Sequence, residues 1–241
     1  MQADWAYGTI SGGMFFFHGD DYSAVYCEIE PLLASLERDV SFFLHVAEQQ
    51  ELNKIKAENY RRSWTAARIC AKYLWAAPAD NRDLETADIP WSELNIVSRN
   101  DKGQGIRPVL NERGLKIDRD LSISHTDDAV FVVLANRPDC RIGCDLVPLG
   151  SVTPKMARLF FRNDEDLPTD PHWADRYWAV KEAAYKAGNY GQAFAPVSWR
   201  IARRNATDAF FCRDASFENG IEVPVVTFLH SGHVVAVAVI R

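Results

Sequence analysis

Two stretches of this chain repeat one pattern, and that repeat limits the fold more than any other feature. Trp64-Thr65-Ala66-Ala67-Arg68-Ile69-Cys70-Ala71-Lys72 matches Trp178-Ala179-Val180-Lys181-Glu182-Ala183-Ala184-Tyr185-Lys186: a Trp, a charge four residues on, and a Lys four further. Downstream, Ser124-His125 precedes the apolar run 129–135, and Ser231-Gly232-His233 precedes the apolar run 234–239. The Trp-to-His separations are 61 residues (64 to 125) and 55 residues (178 to 233). Two matches in the same order point to a duplicated unit of about 110–120 residues, a usual domain length. The expected fold is α+β: a pseudo-dimer of two similar α/β lobes, each with a long helix packed on an antiparallel sheet. The lobes are 1–140 and 141–241. Because the duplication already supplies both halves, a monomer with internal pseudo-twofold symmetry is expected.

The local signals agree with alternating helix and strand. Residues 177–188 form a helix by content: Ala, Lys and Glu dominate, and Gly188 supplies a stop. Trp178, Lys181, Glu182 and Tyr185 fall at i, i+3, i+4 and i+7 and share one face. Residues 30–47 carry apolar residues at helical spacing, as do residues 51–75, where Pro78 marks the end. Residues 76–118 read as loop, punctuated by Pro90, Gly103, Gly105, Pro108 and Gly114. Strands are expected at 121–125, 130–135, 141–147, 197–202, 209–212, 221–228 and 233–240, and a short helix at 156–161.

Charge and cysteine content exclude several classes. The formal net charge is -6 and no segment is dominated by Lys and Arg, so a nucleic-acid partner is not expected. Met14-Phe15-Phe16-Phe17 is too short for a membrane span and lacks the basic flank of a secretory signal. Five scattered cysteines suit free thiols in a reducing cytoplasm. Cys140 and Cys144 have no second Cys/His pair at zinc spacing.

Two acids draw attention. Asp145 ends an apolar strand just before Pro148, where a turn Asp capping nearby amides is the plain reading. Glu182 and Lys186 are one helical turn apart, and alone they read as a solvated ion pair worth roughly 0.3–0.5 kcal/mol. If Asp145 and Glu182 converge, they can hold one Mg²⁺, which takes one or two carboxylates and fills the rest with water and phosphate. The helix around Arg61, Arg62, Arg68 and Lys72 offers a basic surface for an anion or, equally, a solvated face.

These motifs resemble the 4′-phosphopantetheinyl transferase superfamily, in particular its surfactin-type branch with two fused lobes. Gly105-Ile106-Arg107-Pro108, Ser122-Ile123-Ser124-His125, Ile142-Gly143-Cys144-Asp145-Leu146 and Trp178-Ala179-Val180-Lys181-Glu182 through Lys186 carry the likeness, with Ala157-Arg158-Leu159-Phe160-Phe161 between them. The resemblance implies transfer of 4′-phosphopantetheine from coenzyme A to a serine of an apo acyl or peptidyl carrier protein, with Mg²⁺, releasing 3′,5′-ADP. It implies a metal on Asp145 and Glu182 in the second lobe and catalytic roles for Glu182, Lys186 and His125. The coenzyme A contacts would be Arg62, with Arg61 as the fallback, on the 3′-phosphate, together with Arg107, Ser124, His125, Lys181 and Lys186, and Trp178 mainly structural. The general base is Lys186 or Glu182. Val147 stands where the family commonly has a second acid, so one metal position falls to another ligand or to water. That departure keeps two alternatives in view: a non-catalytic coenzyme A- or carrier-binding member, and a Mg²⁺-dependent pyrophosphate hydrolase.

Overall fold

The computed structural model describes residues 8–10, 13–76, 89–100, 102–162, 165, 172–188, 193–204, 209–214 and 222–241. They fall into two compact units, Gln2–Pro138 and Asp139–Arg241. The architecture is mixed, with helices against antiparallel sheets, as expected for an α+β chain.

The first unit opens with strands β1 (Gly8–Ile10), β2 (Met14–His18) and β3 (Tyr22–Glu28). Helix α1 (Ile29–Ser35), a 3-10 turn (Val40–Phe43), helix α2 (Val46–Lys54) and the long helix α3 (Glu58–Ala76) follow. Strands β4 (Leu94–Arg99), β5 (Gly105–Glu112) and β6 (Leu115–Lys116) form a small antiparallel sheet. The hairpin β7 (Leu121–His125) and β8 (Ala129–Ala135) then completes a larger sheet in the order β1-β2-β3-β8-β7. Val130, Val132 and Leu134 of β8 join Ala66, Ile69, Cys70 and Tyr73 of α3 in one apolar core.

The second unit comprises β9 (Arg141–Pro148), α4 (Pro154–Phe160), α5 (Trp173–Gly188) and four strands. These are β10 (Trp199–Arg204), β11 (Ala209–Asp214), β12 (Glu222–His230) and β13 (His233–Ile240), and the sheet order is β10-β11-β12-β13-β9. Ser231 and Gly232 both take positive φ between β12 and β13, the geometry of a two-residue hairpin turn that only an unhindered residue such as Gly232 adopts freely. Ala179, Ala183 and Ala187 of α5 pack on Val234, Ala236 and Ala238 of β13. Each unit follows the same path. An opening strand (β3 or β9) leads to a long helix (α3 or α5), and a later hairpin returns its last strand (β8 or β13) antiparallel to the opening one.

A buried ion pair recurs in both units with matching partners. Lys72 of α3 and Lys181 of α5 are each 0% exposed. Lys72 meets Glu48 and donates to the carbonyls of Phe43 (3.1 Å) and Trp91 (3.3 Å). Glu48 also accepts from the backbone N–H groups of His45 (2.9 Å) and Ile96 (2.9 Å). Lys181 meets Glu165 at 2.8 Å and donates to the carbonyls of Phe160 (3.3 Å) and Pro196 (3.3 Å). Glu165 accepts from Arg162 N (2.9 Å) and Ile201 N (2.9 Å). In both, the acid takes the N–H three residues before it and the lysine takes the carbonyl five before it. Burial pulls both ammonium groups below their ordinary pKa, and the glutamates oppose that pull.

This pairing corrects the sequence alignment. The spacing matched Lys72 with Lys186, whereas the hydrogen bonds match it with Lys181. Helix α5 carries the Trp-to-Lys spacing twice, from Trp173 to Lys181 and from Trp178 to Lys186, so spacing alone is ambiguous. The histidines also differ in place: His125 closes β7, whereas His233 opens β13 and His230 closes β12. The single helix expected over 30–47 is broken, because Asp39 caps Ser41 N and His45 starts α2 with a reciprocal Glu48 cap. The helix expected over 51–75 is interrupted at 55–57, where Arg61 Nη1 takes the carbonyls of Leu52 (2.6 Å) and Ile55 (3.1 Å). The loop expected over 76–118 holds β4, β5 and β6; buried Leu94, Ile96 and Leu110 alternate with polar residues there, and Pro108 sits beside a register shift. Pro78 lies outside the described residues.

Removing one partner of such a pair strands the other charge away from water. Lys181→Met is expected to cost about 3–5 kcal/mol in urea unfolding. A loss under about 1 kcal/mol would show that Glu165 is not held as described.

Candidate active site

Strand β9 brings a carboxylate against α5. Gly143, Asp145 and Val147 alternate along the face of β9 that meets the helix. A Cβ at Gly143 would overlap the Ala183 carbonyl oxygen and lie 2.5 Å from Ala187 N, so only glycine allows this approach. Opposite lie Ala183, Ala184 and Ala187, all fully buried. The strand and helix backbones are thereby close enough for one side chain to span them.

Lys186 is that side chain. Its ammonium donates to Asp145 Oδ1 at 2.8 Å and to the Cys144 carbonyl at 3.0 Å, and pairs with Glu182 Oε2 at 3.6 Å. The three side chains are 26% (Lys186), 7% (Asp145) and 21% (Glu182) exposed, so the cluster is largely screened from water yet open on one side. Burial pulls the Lys186 pKa down, but Asp145 and then Glu182 outweigh it and hold the ammonium well above its ordinary value. Burial pushes the Glu182 carboxyl up, Lys186 draws it down, and Asp145 adds a further push upward. Asp145 and Glu182 thus face one cation, and their oxygens suit a hard divalent ion. Val147 is buried in the apolar core and offers no donor. Among the described residues no group of three or more His, Cys, Asp or Glu side chains gathers for a metal.

The other expected residues lie elsewhere. Lys181, expected at the ligand, is instead enclosed by Glu165 and two carbonyls and has no surface to offer one. Trp178 packs against Phe160 (4.6 Å) and Phe194 (5.7 Å), a structural position. In the first unit Arg61 staples the α2–α3 junction, Arg62 pairs with Glu30, and Arg107 makes a two-pronged pair with Asp120. Ser124 is buried at 8% exposure, while His125 is exposed at the end of β7 with its ring 5.7 Å from that of Tyr60.

Tyr60 also lines a cavity of about 760 Å³ inside the first unit. Lys54, Lys56, Trp64, Arg68 and Arg99 share its wall. Arg68 is 5% exposed, stacks 3.5 Å over the Trp64 ring, and donates Nη2 to Ser98 Oγ at 2.8 Å. Its Nε is buried with no hydrogen-bond partner. Burial pulls the guanidinium down to about 10, still charged at neutral pH. Lys54, Lys56, Arg68 and Arg99 outnumber Glu48 and Glu51 on this wall, a charge balance that suits an anion. The sequence showed Arg68 as one charge among several; its burial came only from the fold, which sets it over Trp64 and against Ser98 of β4.

No family model matches the chain, and no curated protein matches it. Among solved structures, a holo-(acyl-carrier-protein) synthase from Bacillus anthracis str. Ames in complex with CoA (3′,5′-ADP) is similar at 16% identity with a TM-score of 0.34. The overlap covers 48% of this chain and 93% of that one, and a superposition so loose carries no argument about activity. No helix among the described residues is long and apolar enough to cross a membrane.

Gly143→Ala tests the strand–helix approach on which the cluster depends. It is expected to lower stability by about 1–3 kcal/mol in chemical denaturation, as overpacking does. An unchanged midpoint would mean that β9 and α5 are farther apart than described.

Proposed function

We propose that this chain is a 4′-phosphopantetheinyl transferase, moving the phosphopantetheine group of coenzyme A to a serine of an apo acyl or peptidyl carrier protein and releasing 3′,5′-ADP. The convergence of Asp145, Glu182 and Lys186 on one point carries the reading. The sequence motifs support it, and so does the repeated path of the two units, which suits an internally duplicated transferase.

The residues divide the work by their electrostatics. Lys186 is held as an ammonium, so its role is to meet negative charge on the pyrophosphate. Glu182, with its carboxyl raised by burial, is the better proton acceptor. The serine oxygen forms a bond to the β-phosphorus, its proton passes to Glu182, and the bond from that phosphorus to the oxygen of the leaving 3′,5′-ADP breaks. Asp145 and Glu182 have the oxygen donors that Mg²⁺ requires, and the bound ion would supply charge neutralisation on the pyrophosphate oxygens. The Arg68 cavity lies within the first unit and is a separate candidate site for an anion.

Intact mass spectrometry of an apo carrier protein with coenzyme A and Mg²⁺ tests the reaction. The expected result is a gain of one phosphopantetheine, abolished by EDTA and reduced about a hundredfold or more by Asp145→Ala. Coenzyme A bound without any gain would instead favour the non-catalytic member, consistent with the missing donor at Val147. Coenzyme A cleaved without carrier would favour the hydrolase. Arg68→Met should weaken anion binding in the first-unit cavity, probed with coenzyme A by calorimetry, about tenfold or more, the worth of a charge-assisted hydrogen bond; unchanged affinity would show that the cavity holds no anionic group of that probe.

A further inference from the structure

We infer that the Lys186 ammonium is an internal cation that competes with the divalent metal for Asp145 and Glu182, and that it leaves them when a pyrophosphate ligand arrives to receive it. The inference rests on the transferase reading only for the ligand; the competition itself follows from the cluster. Lys186 Nζ is 2.8 Å from Asp145 Oδ1 and 3.6 Å from Glu182 Oε2. A metal bound by these two carboxylates draws on groups whose charge an ammonium already engages.

The charges decide the outcome. Within this cluster the ammonium offsets one of the two carboxylate charges, which weakens the attraction for a divalent ion. Val147 adds apolar surface where another carboxylate would restore that attraction. Once the ligand's pyrophosphate is present, the ammonium gains a new anionic partner and the carboxylates become available. Metal and ligand then strengthen each other's binding by one shared factor, as linkage requires. Lys186 has reach for the move, because its side chain is a flexible stem with a quarter of its surface exposed. The Cys144 carbonyl that it also meets is neutral.

The test is Mn²⁺ binding, read by electron paramagnetic resonance of the free ion, without carrier protein or turnover. Without coenzyme A, Lys186→Met and Lys186→Gln are each expected to bind Mn²⁺ at least about tenfold more tightly than the wild-type chain, since a close opposite charge has been removed from the competition. The glutamine variant keeps a donor for the Cys144 carbonyl and guards against a folding defect in the methionine variant. With saturating coenzyme A the difference should shrink to within about threefold, because the wild-type lysine has moved to the phosphate. Adding Asp145→Asn to either variant should abolish the gain. Equal or weaker Mn²⁺ binding in both lysine variants overturns the competition, as does a gain that survives Asp145→Asn. Neither result touches the transferase reading, which the carrier-protein mass gain decides by itself.

Discussion

The structure hangs on a lysine–glutamate pair buried once in each unit. A lone ammonium in an apolar core is prohibitively costly, and a lone carboxylate equally so. Here each lysine finds a carboxylate and two carbonyls, and each carboxylate finds two backbone N–H groups as well. The bonds reach into four segments: the long helix, the turn preceding the acid, the approach to a strand, and the strand itself. Ile96 and Ile201 thereby take their register from an acid tens of residues upstream. Replacing the pair by apolar side chains of similar volume would leave those backbone groups orphaned, so the polarity here serves specificity of arrangement as much as stability.

The same helix that is anchored by Lys181 displays Lys186 a little more than one turn later. Five residues along a helix rotate a side chain well away from its predecessor, so one lysine is sealed and the other looks along β9. Anchoring and chemistry are separated on one element. Rigid seating of α5 by Glu165 and by the small contact at Gly143 fixes where Glu182 and Lys186 stand relative to Asp145. The first unit uses its own helix differently. Lys72 anchors α3, and Arg68, one turn earlier, is buried with a donor to spare beside a cavity.

Much of this was legible in the sequence. The β-branched runs around Val132 and Val235 marked inner strands, since buried strands need no polar alternation. The Ala-rich run around Ala183 marked a helix that packs closely. Asp145, Glu182 and Lys186 were picked out by motif, and they do meet. What was missed shares one cause: the deciding partner is distant in sequence and has no periodic signature. Glu48 and Glu165 carry no signal in the sequence, Lys181 reads as a ligand contact, and residues 94–116 read as loop, because Gly and Pro masked a short hairpin.

By itself the sequence determined the mix of helices and strands, the repeated pattern around its two long helices, and the two carboxylates and the lysine that meet on β9 and α5, because propensity, periodicity and motif spacing are local properties of the chain. Only the tertiary structure decided the register of the duplication. Trp173 to Lys181 and Trp178 to Lys186 are equivalent as spacings, and they part company only when burial forces one lysine to find Glu165 and leaves the other to Asp145. The physical reason is the cost of an unpaired buried charge, which is set by the whole surrounding fold and by no stretch of residues alone.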